Sequence, residues 1–231
     1  MSKIYQDGTY LAKNSTWHEE DSLHKAKWIT KLIKKNSLNL NTVCEIGCGS
    51  GRILSEMSEK FDEGVKFYGF EISPQAYEIC KKKTKKNLTF EFLDVLNEKN
   101  KYFDIAMIID VIEHIEDYFN FLRKVKEKAD YKIFHIPLDL SVLNILRASP
   151  ILAKRNDVGH IHYFTKETAL EVLKDSGYKI IDHFYTSGNV DLPNQSWRFN
   201  LLKIPRKILF FINRDLAVRI LGGYSLMVLA K

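Results

Sequence analysis

The chain has 231 residues, 45% of them hydrophobic, and a formal net charge of +6. That length and apolar content suit one globular α/β domain with a complete core. Cys44, Cys48 and Cys80 suit reduced thiols better than a disulfide framework, no apolar run reaches the roughly 18 residues of a membrane span, and Met1 to Tyr10 carries no basic-then-apolar leader pattern, so the expected setting is cytoplasmic.

Residues 1–40 open irregularly and then predict a helix from Ser22 to Lys35, where Leu23, Ala26, Ile29, Leu32 and Ile33 form an apolar stripe and Asp21 or Ser22 serves as cap. The preceding loop, Asn14 to Glu20, concentrates Trp17, His18 and two carboxylates, and Thr16 to Glu19 has capping-box spacing. Val43 to Ile46 then reads as a strand that breaks into Gly47, Gly49 and Gly51 and restarts as a helix at Arg52. Glycine permits positive φ and close approach of a ligand, and the amides of a helix start favour electron-rich groups, so the stretch predicts a nucleotide cradle. A dinucleotide fingerprint would need its third glycine at position 52, where the chain has Arg52.

A second strand, Val65 to Phe70, ends at Glu71, in position to accept both ribose hydroxyls of an adenine nucleoside. Ser73 and Pro74 have the signature of a helix start. The run from Lys81 to Lys86 reads as the solvated tail of that helix rather than a nucleic-acid patch, because no aromatics interleave with the lysines. Leu88 to Leu93 is a third strand ending at Asp94, and Tyr102 to Asp110 is a continuous apolar run, the mark of a central parallel strand buried on both faces. Val111 to Asp117 follows it and includes Glu113 and His114.

Glu45 before alternating glycines, Asp94 at the third strand end, and the Glu113-His114 segment after the fourth strand together resemble the class I S-adenosylmethionine-dependent methyltransferase family. The resemblance is carried by roughly residues 41–177. It implies a seven-stranded, mostly parallel Rossmann-like sheet with helices on both faces. It also implies S-adenosylmethionine as cofactor, with Glu45, Gly47, Gly49, Gly51, Glu71, Asp94, Val95 and Asp110 as its binding residues. Asp94 would meet the exocyclic amine of adenine and the Val95 amide the ring; the alternative is an ordinary turn aspartate. In such proteins N-terminal elements fold over the cofactor, a role open to Trp17 and His18; the alternative is a capping-box turn with Trp17 stapling the loop to the core.

Further along, a helix is expected from Tyr118 to Ala129, a strand from Tyr131 to Ile136 ended by Pro137, and an insertion over 138–163 that suits a lid at the carboxyl edge of the sheet. Within it Ser141 to Ala148 reads as helical, Pro150 as an interruption and Lys154 to Asp157 as polar loop. His160 and His162 fall on one side of an extended segment, but no third ligand has a recognisable spacing, so no metal site is expected. A helix capped by Thr165 runs to about Ser176, and strands follow at Lys179 to Thr186 and Tyr224 to Ala230. Residues 191–223 form a basic amphipathic insertion before the last strand, which would pack over the pocket, lie between subunits or rest on an anionic membrane surface.

The expected activity is methyl transfer to an oxygen or nitrogen of a small molecule or of a sugar- or lipid-linked intermediate. His114 is the first candidate base, followed by His18 and His160; otherwise His114 is satisfied by Glu113 and Asp117. Asp110-Val111-Ile112-Glu113 lacks the proline pair of adenine-amine methyltransferases and the Pro137 region lacks an adjacent cysteine, which disfavours nucleic-acid bases as acceptors. Two alternatives stand beside this reading, a nicotinamide-dependent oxidoreductase and a non-catalytic cofactor-binding scaffold of the same fold.

Overall fold

The computed structural model describes residues 5, 8–14, 16–17, 19–187 and 197–231, with side chains in the last stretch from 204 onward. Strands β1 (Thr42–Ile46), β2 (Lys66–Glu71), β3 (Leu88–Phe92), β4 (Phe103–Ile109), β5 (Ala129–Pro137), β6 (Ile180–Ser187) and β7 (Tyr224–Ala230) form a seven-stranded sheet of order β3-β2-β1-β4-β5-β7-β6. The first five pair in parallel, and β7 runs antiparallel to both of its neighbours. The helices are α1 (Thr9–Lys13), α2 (Glu19–Lys35), α3 (Arg52–Ser58), α4 (Pro74–Cys80), α5 (Tyr118–Lys126), α6 (Val142–Arg147), α7 (Ser149–Asp157), α8 (Lys166–Asp175), α9 (Trp197–Ile212) and α10 (Arg214–Leu221).

Strand periodicity explains the two apolar layers. Successive side chains point to opposite faces, so Cys44, Ala106 and Ile108 join Leu122 and Val125 of α5 and Ala169 and Leu173 of α8 on one side. Val43, Ile105 and Met107 meet Ala26, Ile29 and Leu32 of α2 and Leu54 and Met57 of α3 on the other. Burial on both faces is why β4 is apolar from Ile105 to Ile109. Asp104 fixes the start of the central pair: its Oδ2 accepts from the Asn41 and Thr42 amides at 2.6 and 2.8 Å. The carboxyl ends of β1 and β4 thereby open side by side.

Several boundaries differ from those expected. Asp21 and Ser22 lie inside α2, which starts at Glu19 and gathers Glu19, Glu20 and Asp21 in its first turn, where the helix dipole favours anions. Thr16 donates to Glu20, while Glu19 is drawn to Lys83 at 2.8 Å, so the Thr16–Glu19 capping box does not form. Helix α5 stops at Lys126 and Ala129 already belongs to β5, because its small side chain is buried beside Phe103. Lys154 to Asp157 are the last turn of α7 rather than a loop; the chain breaks at Ala148, whose φ is 54°, and Pro150 sits in the first turn of α7, where its missing N–H costs nothing. In the lysine run, Lys81, Lys83, Lys85 and Lys86 pair with Glu78, Glu19, Glu59 and Glu63.

Candidate active site

The turn after β1 holds Gly47, Gly49 and Gly51 at φ of 73°, 55° and 73°, a left-handed backbone that side chains with a Cβ resist. Its ladder is tied sideways to β2, with the Gly47 and Cys48 amides donating to the Phe70 carbonyl at 2.9 and 3.1 Å. Glu71, at the tip of β2, accepts from the Gly49 amide at 2.7 Å through Oε2 and from the Ile72 and Ser73 amides at 2.8 and 2.7 Å through Oε1. Burial pushes its carboxyl up, and these amides oppose the shift. Glu45 is buried with no hydrogen-bond partner for Oε2 among the described residues; burial holds its carboxyl well above the usual range. A Cβ on Gly49 would fall 2.8 Å from the Trp17 ring, so the N-terminal segment lies directly over the cradle.

Asp110 follows β4 at a φ of 54°. Its Oδ2 meets Lys25 of α2 at 2.6 Å and its Oδ1 meets His135 of β5 at 2.5 Å. Lys25 also pairs with Asp21 at 2.8 Å, and His135 Nε2 reaches the Thr186 hydroxyl at 2.8 Å. Burial alone would raise Asp110, but the charges of His135 and Lys25 outweigh it and hold the carboxyl well below its usual range. This network ties α2, β4, β5 and β6 together behind the cradle.

Beyond Asp110 the chain makes a tight turn, Ile112 to His114. The Glu113 carbonyl accepts from the Ile161 and His162 amides at 2.9 and 3.1 Å, which brings the segment after α7 against it. His114 Nδ1 lies 3.0 Å from the Gly159 carbonyl and 3.0 Å from the Tyr5 hydroxyl, which itself donates to the Val158 carbonyl at 2.7 Å. A carbonyl can only accept and the Tyr5 proton is committed, so His114 carries its proton on Nδ1 and leaves Nε2 bare. Burial, reinforced by the neighbouring His160, lowers this imidazole to about 4. His160 Nδ1 is 2.6 Å from Asp139 Oδ2, and the two imidazole rings stand 4.9 Å apart.

A cavity of about 470 Å³ joins these parts. Its wall runs from Glu45, Gly47, Gly49 and Glu71 past Asp110 to Glu113, His114, Asp139 and His160, and it is covered by Tyr5, Tyr10 and Trp17 on one side and by Pro150, Ile151 and Lys154 of α7 on the other. Its lining carries the acids Asp21, Glu45, Glu71, Asp110, Glu113 and Asp139 and the bases Lys25, Arg52, Lys154 and Arg206, with burial pushing Glu45 and Glu113 up towards their neutral forms.

The expected site residues are therefore unequally gathered. Glu45, Gly47, Gly49, Glu71, Asp110, His114, His160 and Trp17 share the cavity wall, and Gly51 caps the adjoining α3. Asp94 and Val95 are not part of that wall: Asp94 is exposed and accepts from Leu96 N at 3.0 Å and Asn97 Nδ2 at 2.9 Å, a turn cap, and Val95 is buried. His162 does not partner His160; its ring stands edge-on to Tyr118 at 4.7 Å. His18 lies outside the described residues. Sequence reasoning missed Tyr5, Lys25, His135 and Asp139, each of which acts across a long chain separation. Only Lys25 left a signal, as a basic residue on the apolar side of α2, one turn before Ile29 and two before Leu32.

An acid-lined glycine cradle at the carboxyl ends of a sheet of this order defines a class I S-adenosylmethionine-dependent methyltransferase. The family model described as a methyltransferase domain matches residues 17–183, and the chain belongs to that family. No curated protein matches the sequence. Among solved structures, magnesium protoporphyrin IX methyltransferase from Synechocystis, crystallised with S-adenosylhomocysteine, is similar at 18% identity and a TM-score of 0.59 over 93% of this chain and 83% of that one. An S-adenosylmethionine-dependent methyltransferase from Archaeoglobus fulgidus is similar at 18% identity, TM-score 0.57, over 89% and 94% of the two chains. The N-methyltransferase NodS from Bradyrhizobium japonicum, also with S-adenosylhomocysteine, is similar at 13% identity, TM-score 0.54, over 90% and 85%. These likenesses show a shared fold.

The buried His114 gives a pH signature. Its imidazole protonates at about 4 when folded against 6.5 for the free side chain, so between those values the unfolded chain binds more protons. Stability should therefore fall as pH drops from 6.5 towards 4, by up to about 3 kcal/mol for this group. In urea titrations with chelator present, His114→Asn is expected to flatten that limb of the profile; an unchanged slope would contradict the assignment.

Proposed function

We propose that the chain transfers a methyl group from S-adenosylmethionine to an oxygen or nitrogen of a small molecule, or of a sugar- or lipid-linked intermediate. The observation that carries this reading is the Gly49–Glu71 clamp at the adjoining tips of β1 and β2, with an open cavity in front of it. The residues present fit the donor. Gly47, Gly49 and Gly51 let the backbone approach it closely, Glu71 retains acceptor capacity for ribose hydroxyls, Asp94 and Val95 would border the adenine, and Glu45 and Asp110 would face its cationic end. Asp110 and the acceptor oxygens of Glu45 and Glu71 beside the cradle favour a sulfonium with an ammonium group over the diphosphate of a nicotinamide dinucleotide.

When bound, the donor supplies a methyl group already activated for displacement, which leaves the protein to align the acceptor and exclude water. The N-terminal segment and the 138–163 insertion act as the two covers. At the acceptor end, Asp139 orients His160 and Gly159 orients His114, so each imidazole offers Nε2 to the acceptor and can receive or hold its proton. His18, outside the described residues, remains a further candidate base.

The basic appendage suits an acceptor with an apolar part. Ile204, Ile208, Phe211 and Ile212 of α9 are exposed, with Phe211 at 91%, while Arg206 and Leu221 reach the cavity wall. Among the described residues no helix is long and apolar enough to cross a membrane. We place the protein in the cytoplasm with this face against an anionic lipid surface, where exposed apolar side chains insert and Lys207 and Arg214 meet headgroups.

Two measurements test the reading. In calorimetry Gly49→Ala, whose methyl would collide with Trp17, and Glu71→Ala should each weaken S-adenosylmethionine binding by about 10-fold or more, roughly 1.4 kcal/mol. Unchanged affinity in both would overturn it. In vesicle sedimentation the wild type should pellet with anionic lipid and the pair Ile208→Asp and Phe211→Asp should not; a wild type that stays in the supernatant removes the membrane contact.

A further inference from the structure

We propose that Glu113, His114 and His160 form a binding site for a divalent transition-metal ion of the zinc, cobalt, iron or manganese type, open on one side to the methyl-acceptor end of the cavity. The donor atoms of the three side chains all lie within 4.8 Å of one another. Glu113 Oε1 is 3.8 Å from His114 Nε2 and 3.9 Å from His160 Nε2.

Three features point to a cation. Glu113 is 1% exposed, and neither carboxylate oxygen has a hydrogen-bond partner among the described residues. A buried carboxylate left in this way is strongly disfavoured unless a proton or a metal cation joins it. Both imidazoles are held from behind by their Nδ1 atoms, His114 on the Gly159 carbonyl at 3.0 Å and His160 on the Asp139 carboxylate at 2.6 Å. That is the outer-shell arrangement that orients histidine ligands and makes them better donors. The result is three acceptor atoms converging with no donor hydrogen between them. A proton would neutralise Glu113, but at 3.8 and 3.9 Å it would reach neither imidazole nitrogen, so the two Nε2 lone pairs would stay unpartnered.

Ligand bonds of about 2.1 Å at tetrahedral angles set neighbouring donors about 3.4 Å apart, so the two carboxylate–imidazole separations would close by about half an ångström and the two imidazole nitrogens, within 4.8 Å of each other, by up to about 1.4 Å, within reach of a side-chain torsion. Two imidazoles with one carboxylate suit borderline transition metals and disfavour magnesium and calcium, which prefer oxygen cages. Three protein ligands leave at least one position vacant, as in catalytic rather than structural sites. That position faces the same cavity as Gly49 and Glu71. With the ion in place both Nε2 atoms are ligands rather than bases, and a hydroxyl of the acceptor bound there would have its pKa lowered and release its proton to water, which selects oxygen acceptors over nitrogen ones. This use of the ion rests on the proposed methyl transfer; the binding of the ion does not.

The experiment is calorimetric titration of tag-free, chelator-stripped protein with zinc, cobalt, manganese and magnesium in turn, with visible absorption followed for cobalt. We expect one equivalent of zinc or cobalt to bind in the micromolar range or tighter, and a cobalt spectrum of low coordination number. Glu113→Gln and His160→Asn should each weaken binding by about 30-fold or more, and Asp139→Asn by about 10-fold through the outer shell. His183→Ala, on the exposed face of β6, should leave it unchanged. Circular dichroism confirms that each variant is folded, and a misfolded Glu113→Gln leaves His160→Asn and Asp139→Asn as independent readouts. No saturable zinc or cobalt binding by the wild type up to about 1 mM, or equal binding by the ligand variants, would overturn the site. S-adenosylmethionine titrated into the same stripped samples separates the two proposals: donor binding without metal binding removes only the ion, and metal binding without donor binding removes only the methyl transfer.

Discussion

Glu71 is the side chain on which the donor half of the cavity depends. Parallel pairing puts the tips of β1 and β2 side by side, and the Gly47 and Cys48 amides extend it by donating to the Phe70 carbonyl. Glu71 then joins the two tips: its carboxylate accepts from Gly49 in the glycine turn and from Ile72 and Ser73 in the chain leaving β2, so one buried side chain ties a turn at positive φ, which glycine accepts cheaply, to the second strand. The same bonds compete with the lowered dielectric around Glu71 and keep a polar group at a place where a nucleoside can reach it. Cradle shape and cradle chemistry therefore have one cause.

A second constraint organises the other half. Asp110 is bonded by both Lys25 and His135, which ties α2 and β5 to the end of β4, from which Glu113 and His114 leave the sheet. The Glu113 carbonyl then captures the segment after α7, and His160 is delivered to His114 from 46 positions away in the chain. Tyr5 closes the arrangement from the N-terminal side through His114 and Val158. Cover, turn and insertion are thus joined at the acceptor end by a few polar contacts, which suits parts that must open to admit ligands.

Much of this was legible in the sequence where the physics is local. The unbroken apolar run of β4 reports burial on both faces, alternating glycines report the turn, and Ser73-Pro74 reports a helix start. Helix ends in the insertion were not legible, because Lys154 to Asp157 look like a loop by composition and become a helix only when α7 lies over the cavity. Pairing His160 with His162 rested on sequence proximity, whereas the partners that matter, Glu113, His114 and Asp139, come from other parts of the fold. Asp94 shows the converse: its position at the strand end was read correctly, yet its oxygens serve Leu96 and Asn97.

Fold, cradle and acid-lined cavity together make one central claim, that a sulfonium nucleoside occupies the site in front of the Gly49–Glu71 clamp. Native mass spectrometry of the protein incubated with equimolar S-adenosylmethionine, S-adenosylhomocysteine, NAD and NADP tests it most directly. The account predicts a single added mass, that of S-adenosylmethionine or S-adenosylhomocysteine, which disappears in the Glu71→Ala variant. Retention of NAD or NADP instead, or of none of the four, would contradict it.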